Sequence, residues 1–470
     1  MPNSKIIETY LACLSEQDRN ILLDEGVDLP DAPEPLFDYP RYLKFLDCAW
    51  LEESIYAYLT IDGPLEPEDA FQISSMLSLI CKLIINHSDG LYGLEVGDWE
   101  EHYNIPDLAS LHSVRKALSG LRELHIHGTC YTATADGLDN LSNLLTVLTH
   151  FSNDIQFMNI DCCHVDTRLG KRLPALIASQ NNLQRLMIED SSLDSTLSAS
   201  LISALSSQFN SLRALAISRL PIDDLFFLKL SRCTRLESMS MFHCKYVEKD
   251  NALLQRIKPQ IKIFLARLTC LDSSGNSEIL SEIIEMTKQN LNTLVTDNIN
   301  ANVIRLLSTH CVNMEYLMMN ISSEIIPDLY LLSSLGIKHM ILHSESNSVD
   351  FSDSLLVQVG RSLSSSLEYL DIDFIVSPSG LEAMLKECQA DIKRLGMKLA
   401  IDSNVKVGAN DQILEVILNY AKCGRSLKEL RIDRGQEFLK DKHFSKETLA
   451  KTMNLLKISH DYNDCWNYFR

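Results

Sequence analysis

Apolar residues recur along this chain in a six-residue phrase, Leu-x-x-Leu-x-Ile, with mostly polar residues in its gaps. Clear copies begin at Leu121 (LRELHI), Leu183 (LQRLMI), Leu212 (LRALAI), Leu367 (LEYLDI) and Leu427 (LKELRI). Looser copies, with any apolar residue at the three key positions, begin at Leu91, Ile155, Leu236, Ile261, Leu291, Met314, Ile337 and Ile392. The twelve steps from 91 to 427 average 28 residues. Within each phrase the alternation has the period of a strand with one buried face. After nearly every phrase come a polar turn and a segment of helical period. In NDQILEVILNYAKC, Ile413, Val416, Ile417 and Tyr420 share one helix face. In SGLEAMLKEC, Ser379 and Glu382 have the spacing of a capping box. The stretches SEILSEIIEMTKQ from Ser277 and NANVIRLLSTHC from Asn300 also read as helices. A chain that is 46% hydrophobic yields single phrases by chance, but not strand, turn and helix at one period.

That period falls within the roughly 20 to 29 residues of leucine-rich repeats. The expected fold is therefore an α/β leucine-rich-repeat solenoid, with parallel strands on the concave face and helices on the convex face. Residues 1–60 read as a short helical module punctuated by Pro30, Pro33, Pro35 and Pro40, residues 61–433 as the solenoid, and residues 434–470 as a helical cap and tail. The aromatic tail, with Trp466, Tyr468 and Phe469, is expected to cover the last apolar layer.

If the three apolar positions of each phrase are buried, the residues around the last two line the open face of the strands. This makes Glu123, His125 and His127 candidate partner-binding residues, followed by Phe157, Asn159 and Asp161, and then Arg185, Met187 and Glu189. The small residues Ala214, Ala216, Ser218, Ser238 and Ser240 follow, with Phe242 beside them. Later phrases contribute Tyr316 and Met318, then Tyr369, Asp371 and Asp373, then Arg394 and Lys398, then Arg431 with Glu429 and Asp433. A shallow centre flanked by rings and charges suits a polypeptide ligand, because buried aromatics give affinity and rim charges set register.

Signatures of chemistry are few. The chain has no phosphate-binding glycine loop, no H-E-x-x-H helix and no nucleophile elbow, so no catalysis and no cofactor is expected. The cluster DCCHVD (Asp161, Cys162, Cys163, His164, Asp166) lacks a second spaced ligand pair for zinc. Cys163 instead follows Ile160 by three residues, where these repeats turn the chain, and Cys244 stands at the same offset from Met241. His125 and His127 share a strand face but show no further ligand, so they read as exposed, pH-sensitive contact residues. His339 and His343 occupy two of the three corresponding positions in a later phrase.

A net charge of −20 repels phosphate backbones and anionic membranes, so neither nucleic acid nor membrane is an expected partner. Thirteen scattered cysteines with no C-x-x-C pair point to reduced thiols. Glu8 interrupts the N-terminal apolar stretch, and Lys82 interrupts the run MLSLICKLII. The expected location is the cytoplasm or the nucleus.

The stretch IIETYLACLSEQDRNILLDEGVDLP followed by LFDYPRYLKFLD resembles the segment that follows the F-box in fungal F-box/leucine-rich-repeat proteins. The phrases with Cys163 and Cys244 likewise look like the cysteine-containing repeats of F-box proteins. The resemblance implies a ribonuclease-inhibitor-like horseshoe that captures a protein substrate for a cullin-RING ubiquitin ligase. In that family the F-box, which docks a Skp-type adaptor, precedes this stretch, whereas here the stretch begins just after Met1. No residue is therefore carried over to adaptor binding. The sequence is expected to be a truncated product or a relative without the box, and adaptor and cullin are partners only if a box lies upstream or in degenerate form. The alternative function is a free-standing scaffold or GTPase-regulating repeat protein.

Overall fold

The computed structural model describes residues 4–30, 35–60, 70–97, 105–127, 135–161, 169–189, 195–247, 263–271, 277–344, 352–398, 407–423, 426–432 and 445–459. The chain divides into two compact units, Met1–Glu237 with Cys244–Ile263, and Ser238–His243 with Phe264–Arg470.

In the first unit six strands pair in parallel and in chain order: β1 (Phe45–Asp47), β2 (Gly93–Val96), β3 (Glu123–Ile126), β4 (Phe157–Asp161), β5 (Arg185–Glu189) and β6 (Ala214–Ser218). A small pair, β7 (Pro221–Ile222) with β9 (Lys245–Tyr246), follows the ladder. In the second unit the parallel order is β8 (Ser238–Phe242), β10 (Arg267–Leu271), β11 (Thr293–Thr296), β12 (Tyr316–Asn320), β13 (His339–His343), β14 (Tyr369–Asp373), β15 (Arg394–Met397), β16 (Glu429–Ile432) and β17 (Lys457–Ser459). Among the described residues of the second unit, the helices Ser277–Thr287, Ala301–His310, Ile326–Ser334, Asp353–Ser362, Pro378–Glu387 and Val407–Lys422 each pack on the next, ending on Lys446–Leu455. Parallel strands with a helical crossover at each step are the leucine-rich-repeat solenoid expected from the phrases.

The register explains the phrase. Leu94, Leu124, Met158, Leu186 and Leu215 are aligned partners on successive strands, and all are buried. One apolar column thus runs through the repeats, and each repeat buries its share only against its neighbours. Buried polar side chains hold the turns. Ser152 Oγ donates to the Leu118 carbonyl at 2.7 Å, Gln208 Nε2 to the Ile177 carbonyl at 2.9 Å, and Ser364 Oγ to the Leu335 carbonyl. Each acceptor lies at or just beyond a helix end of the preceding repeat, where carbonyls lose their own partners. The Cys244 thiol, expected at a turn, reaches the Ile217 carbonyl at 3.6 Å.

The structure shifts several sequence expectations. The copy placed at Ile261 is out of frame: the strand is formed by LARLTC, with Leu265, Leu268 and Cys270 buried. β1 lies inside the stretch read as a helical module, which also holds helices Ser4–Ala12, Glu16–Asp24 and Cys48–Leu59, and β17 lies inside the stretch read as cap and tail. The helix Pro378–Glu387 is capped by Ser377, which accepts from the Gly380 amide at 2.9 Å, not by Ser379. Pro378 has no amide hydrogen, so it takes the first helical turn and moves the cap back two residues. In the helix Val407–Lys422 the buried stripe is Ile413, Leu414, Ile417 and Leu418, with Val416 and Tyr420 at its margin. Lys82, inside the most apolar run, pairs with Asp18 at 2.7 Å. No helix among the described residues is long and apolar enough to cross a membrane.

Candidate functional site

In the first unit, side chains on the open strand face form rows set by the register. One row runs Phe45, Gly93, Glu123, Phe157, Arg185, Ala214, and the next runs Asp47, Glu95, His125, Asn159, Met187, Ala216. Gly93 leaves space for its neighbour, since a Cβ there would lie 2.2 Å from the Phe45 ring. Phe45 therefore lies across β2 and reaches His125, with ring centroids 5.9 Å apart. On its other side His125 meets Phe157 edge to face at 5.0 Å, and the Arg185 guanidinium stacks over Phe157 at 4.3 Å. His125 is thus wedged between two rings, and burial lowers its pKa.

Beside it, His127 Nε2 lies 2.9 Å from Glu95 Oε1. The His127 hydrogen bond holds the Glu95 pKa below its usual value against the opposing effect of burial. At the end of β2, Gly97 has φ +113°, and a Cβ there would sit 2.1 Å from the His127 carbonyl oxygen. Only glycine lets the chain leave β2 this close to His127. The reading of His127 as an exposed contact residue is corrected: it is 7% exposed. Farther along this face Glu123 accepts from the Tyr92 hydroxyl at 3.3 Å, and Glu189 pairs with Arg219 at 3.2 Å. Asn159, Asp161 and Met187 are half-buried on the same face.

In the second unit the corresponding row is Ser240, Thr269, Val295, Met318, Ile341, Asp371, Gly396, Arg431. Ser240, expected on the surface, is buried, as are Thr269, Val295 and Ile341. Strands stand about 4.8 Å apart, so short side chains between taller rows lose their access to water. Along the flanking row, Tyr316 stacks on His339 at 6.2 Å and His339 tilts against Tyr369 at 5.9 Å, and burial lowers the His339 pKa.

The most enclosed ion pair among the described residues of this unit joins Asp371 and Arg431, with Tyr369 bonded to both. The Tyr369 hydroxyl donates to Asp371 Oδ2 at 2.9 Å, and Arg431 Nη1 lies 2.9 Å from that hydroxyl and 3.3 Å from Asp371 Oδ2. The Arg431 and Asp371 side chains are 12% and 14% exposed. Arg431 reaches Asp371 over the intervening strand because Gly396 has no side chain, and a Cβ there would come 2.4 Å from the Asp371 carboxylate. Burial raises the Asp371 pKa although Arg431 and Tyr369 oppose it. Asp373 also feels burial, but hydrogen bonds and charge from His343 and Lys398 outweigh it and leave its pKa lowered. Arg394 is exposed and pairs with Glu429 at 3.2 Å.

The sequence-selected residues thus fall on the strand face as two groups, one in each unit, and are not scattered. Sequence reasoning missed Glu95, Phe45 and Asp47. Glu95 occupies the middle open position of the weak phrase LYGLEV, and its register with His125 was the available signal. Cys162, Cys163, His164, Asp166 and Asp433 lie outside the described residues.

No known protein family matches this chain, and no curated protein does. Among solved structures it is similar to the yeast Rad7 and Elc1 complex, at 12% identity and a TM-score of 0.34, over 71% of this chain and 90% of that one. It is also similar to the leucine-rich repeat-containing protein LegL7 from Legionella pneumophila, at 12% identity and a TM-score of 0.32, over 70% and 90%. An internalin from Listeria monocytogenes is similar at 14% identity and a TM-score of 0.30, over 89% and 96%. None of these similarities extends to function.

Proposed function

We propose that this chain is a protein-binding repeat module that takes a polypeptide on its open strand face and acts as the substrate-recognition subunit, or an F-box-less remnant of one, of a cullin-RING ubiquitin ligase. The observation that carries the binding part is the face itself, where rings held in fixed contact alternate with charges in register, as around Phe157 and Arg185 and around Tyr316 and His339. Aromatic anchors immobilised before binding lose little entropy on binding, which favours affinity. The ligase part rests on the resemblance of the first 50 residues and on a concentration of exposed apolar side chains there. Leu36, Phe37, Tyr39 and Tyr42 form a run of exposed apolar residues that suits an adaptor-docking surface.

The test is affinity purification of the tagged chain from its native cells, with quantitative mass spectrometry. Arg185→Glu and Arg394→Glu reverse exposed cations on the face, and remove the Arg185 stack on Phe157 and the Arg394 pair with Glu429. We expect these variants to lose the substrate and keep the adaptor, and Phe37→Glu with Tyr42→Glu to do the reverse. Specific partners that are indifferent to both face variants would refute the binding surface. A wild-type chain that recovers partners but neither adaptor nor cullin would refute a working ligase subunit and leave the F-box-less remnant or a free-standing scaffold.

A further inference from the structure

We infer that Glu95, His125 and His127 form a binding site for a divalent transition-metal ion of the zinc class on the open face of the first unit. This inference is independent of the proposed polypeptide binding. One ligand atom from each residue lies within 4.8 Å of the other two, the only such cluster of three among the described residues. Two imidazoles and one carboxylate are a donor set that takes zinc and iron(II) and leaves coordination positions open to water.

The arrangement follows from the strand geometry. His125 and His127 stand two residues apart on β3 and so project to one side, while the parallel register sets Glu95 directly beside His125. A bound ion about 2.1 Å from each donor would hold the three roughly 3.3 Å apart. The 2.9 Å contact between His127 and Glu95 needs to open slightly and His125 to close in, which side-chain torsions can supply. The surroundings favour a preformed site. Phe45 and Phe157 flank the His125 ring and keep it on the open face beside Glu95, and Gly97 brings the end of β2 against His127. Asp47, next in the row to Glu95, places a second carboxylate beside the site, although burial raises its pKa. Its Oδ1 accepts from the Trp50 amide at 2.8 Å, so it does not serve as a first ligand.

The test uses the full chain, stripped with chelator, kept reduced and titrated with Co2+. Visible absorption and metal analysis after equilibrium dialysis report binding. Thirteen cysteines could also hold cobalt, and thiolate-to-cobalt charge transfer in the near ultraviolet marks that fraction separately. We expect one equivalent without charge transfer, weakened ~10- to 100-fold or more in both His125→Ala and Glu95→Gln. The thiolate-bound fraction should not change between variants. Equal affinity in wild type and both variants overturns the assignment, as does the absence of thiolate-free binding in the wild type. X-ray absorption fine structure of the Co2+-loaded wild type counts coordinated imidazoles without any substitution. Two support the site and fewer than two refute it, so the proposal stays testable even if a variant fails to fold.

Discussion

Replacing Arg431 with Met tests whether the enclosed group in the second unit is arranged as described. Opposite charges 3.3 Å apart attract by about 5 kcal/mol at an effective dielectric of about 20, and desolvation of both groups offsets much of that. Arg431→Met removes the attraction and leaves the desolvation of Asp371 in place. For a fully buried pair that imbalance costs about 3–5 kcal/mol, and the residual exposure of 14% at Asp371 reduces the expectation to about 2–3 kcal/mol. Arg431 also lowers the Asp371 pKa, so its removal pushes that pKa further above the ordinary carboxylate value of 3.8. A folded carboxyl with a raised pKa binds a proton more readily than the unfolded one, so stability is lost as pH rises through that window. The deficit of the variant should therefore be greatest near neutrality and narrow as pH falls toward the carboxylate range. Urea unfolding followed by circular dichroism at several pH values measures both effects. Asp371→Leu with Arg431→Met should be less destabilised than Arg431→Met alone, because no uncompensated charge remains. A single variant within about 0.5 kcal/mol of wild type at neutral pH would refute the reasoning.

Gly396→Ala should cost about 1–3 kcal/mol by forcing the Asp371 carboxylate aside, and its effect should fail to add to that of Arg431→Met in a double-mutant cycle. Gly360 lies in the helix Asp353–Ser362, where alanine ordinarily gains about 1 kcal/mol, yet a Cβ there would be 2.3 Å from the Met384 carbonyl oxygen. Thermal melts should accordingly show Gly360→Ala destabilised. The Glu95 pKa is depressed, so its contribution to stability is complete above the ordinary value of 4.5 and is lost as pH falls through the folded value. Glu95→Gln should flatten the acid limb of the stability curve, and an unchanged limb would remove His127 as its partner.

The strands were legible in the sequence wherever three apolar positions survive, because burial on one face imposes them. LRELHI and LEYLDI became β3 and β14 in the expected frame, with alternating burial. Near Ile261 the pattern failed because IKIFLARLTC offers two overlapping apolar frames, and pairing with β8 and β11 selects the second. β1 escaped notice because it has three residues and runs directly into the helix Cys48–Leu59. The candidate site was only half legible. Alternation marks which residues leave the core, but not how tall their neighbours are, so Ser240 and His127 were expected in water and lie buried. Nor does alternation record cross-strand partners, which is why His125 and His127 looked short of a ligand until β2 set Glu95 beside them.

Gly396 gives the C-terminal repeats a property that a stack of units ordinarily lacks. In a solenoid whose repeats touch only adjacent ones, unravelling from an end can proceed one step at a time, each step carrying a similar free energy. Arg431 on β16 is bonded to Tyr369 and Asp371 on β14, so release of β16 also strands a carboxylate two strands away. β14, β15 and β16 are thereby tied into one cooperative block, and fraying that begins beyond β16 should halt there. In native-state hydrogen exchange the amides of these three strands would open together, with a common free energy, while β17 opens alone.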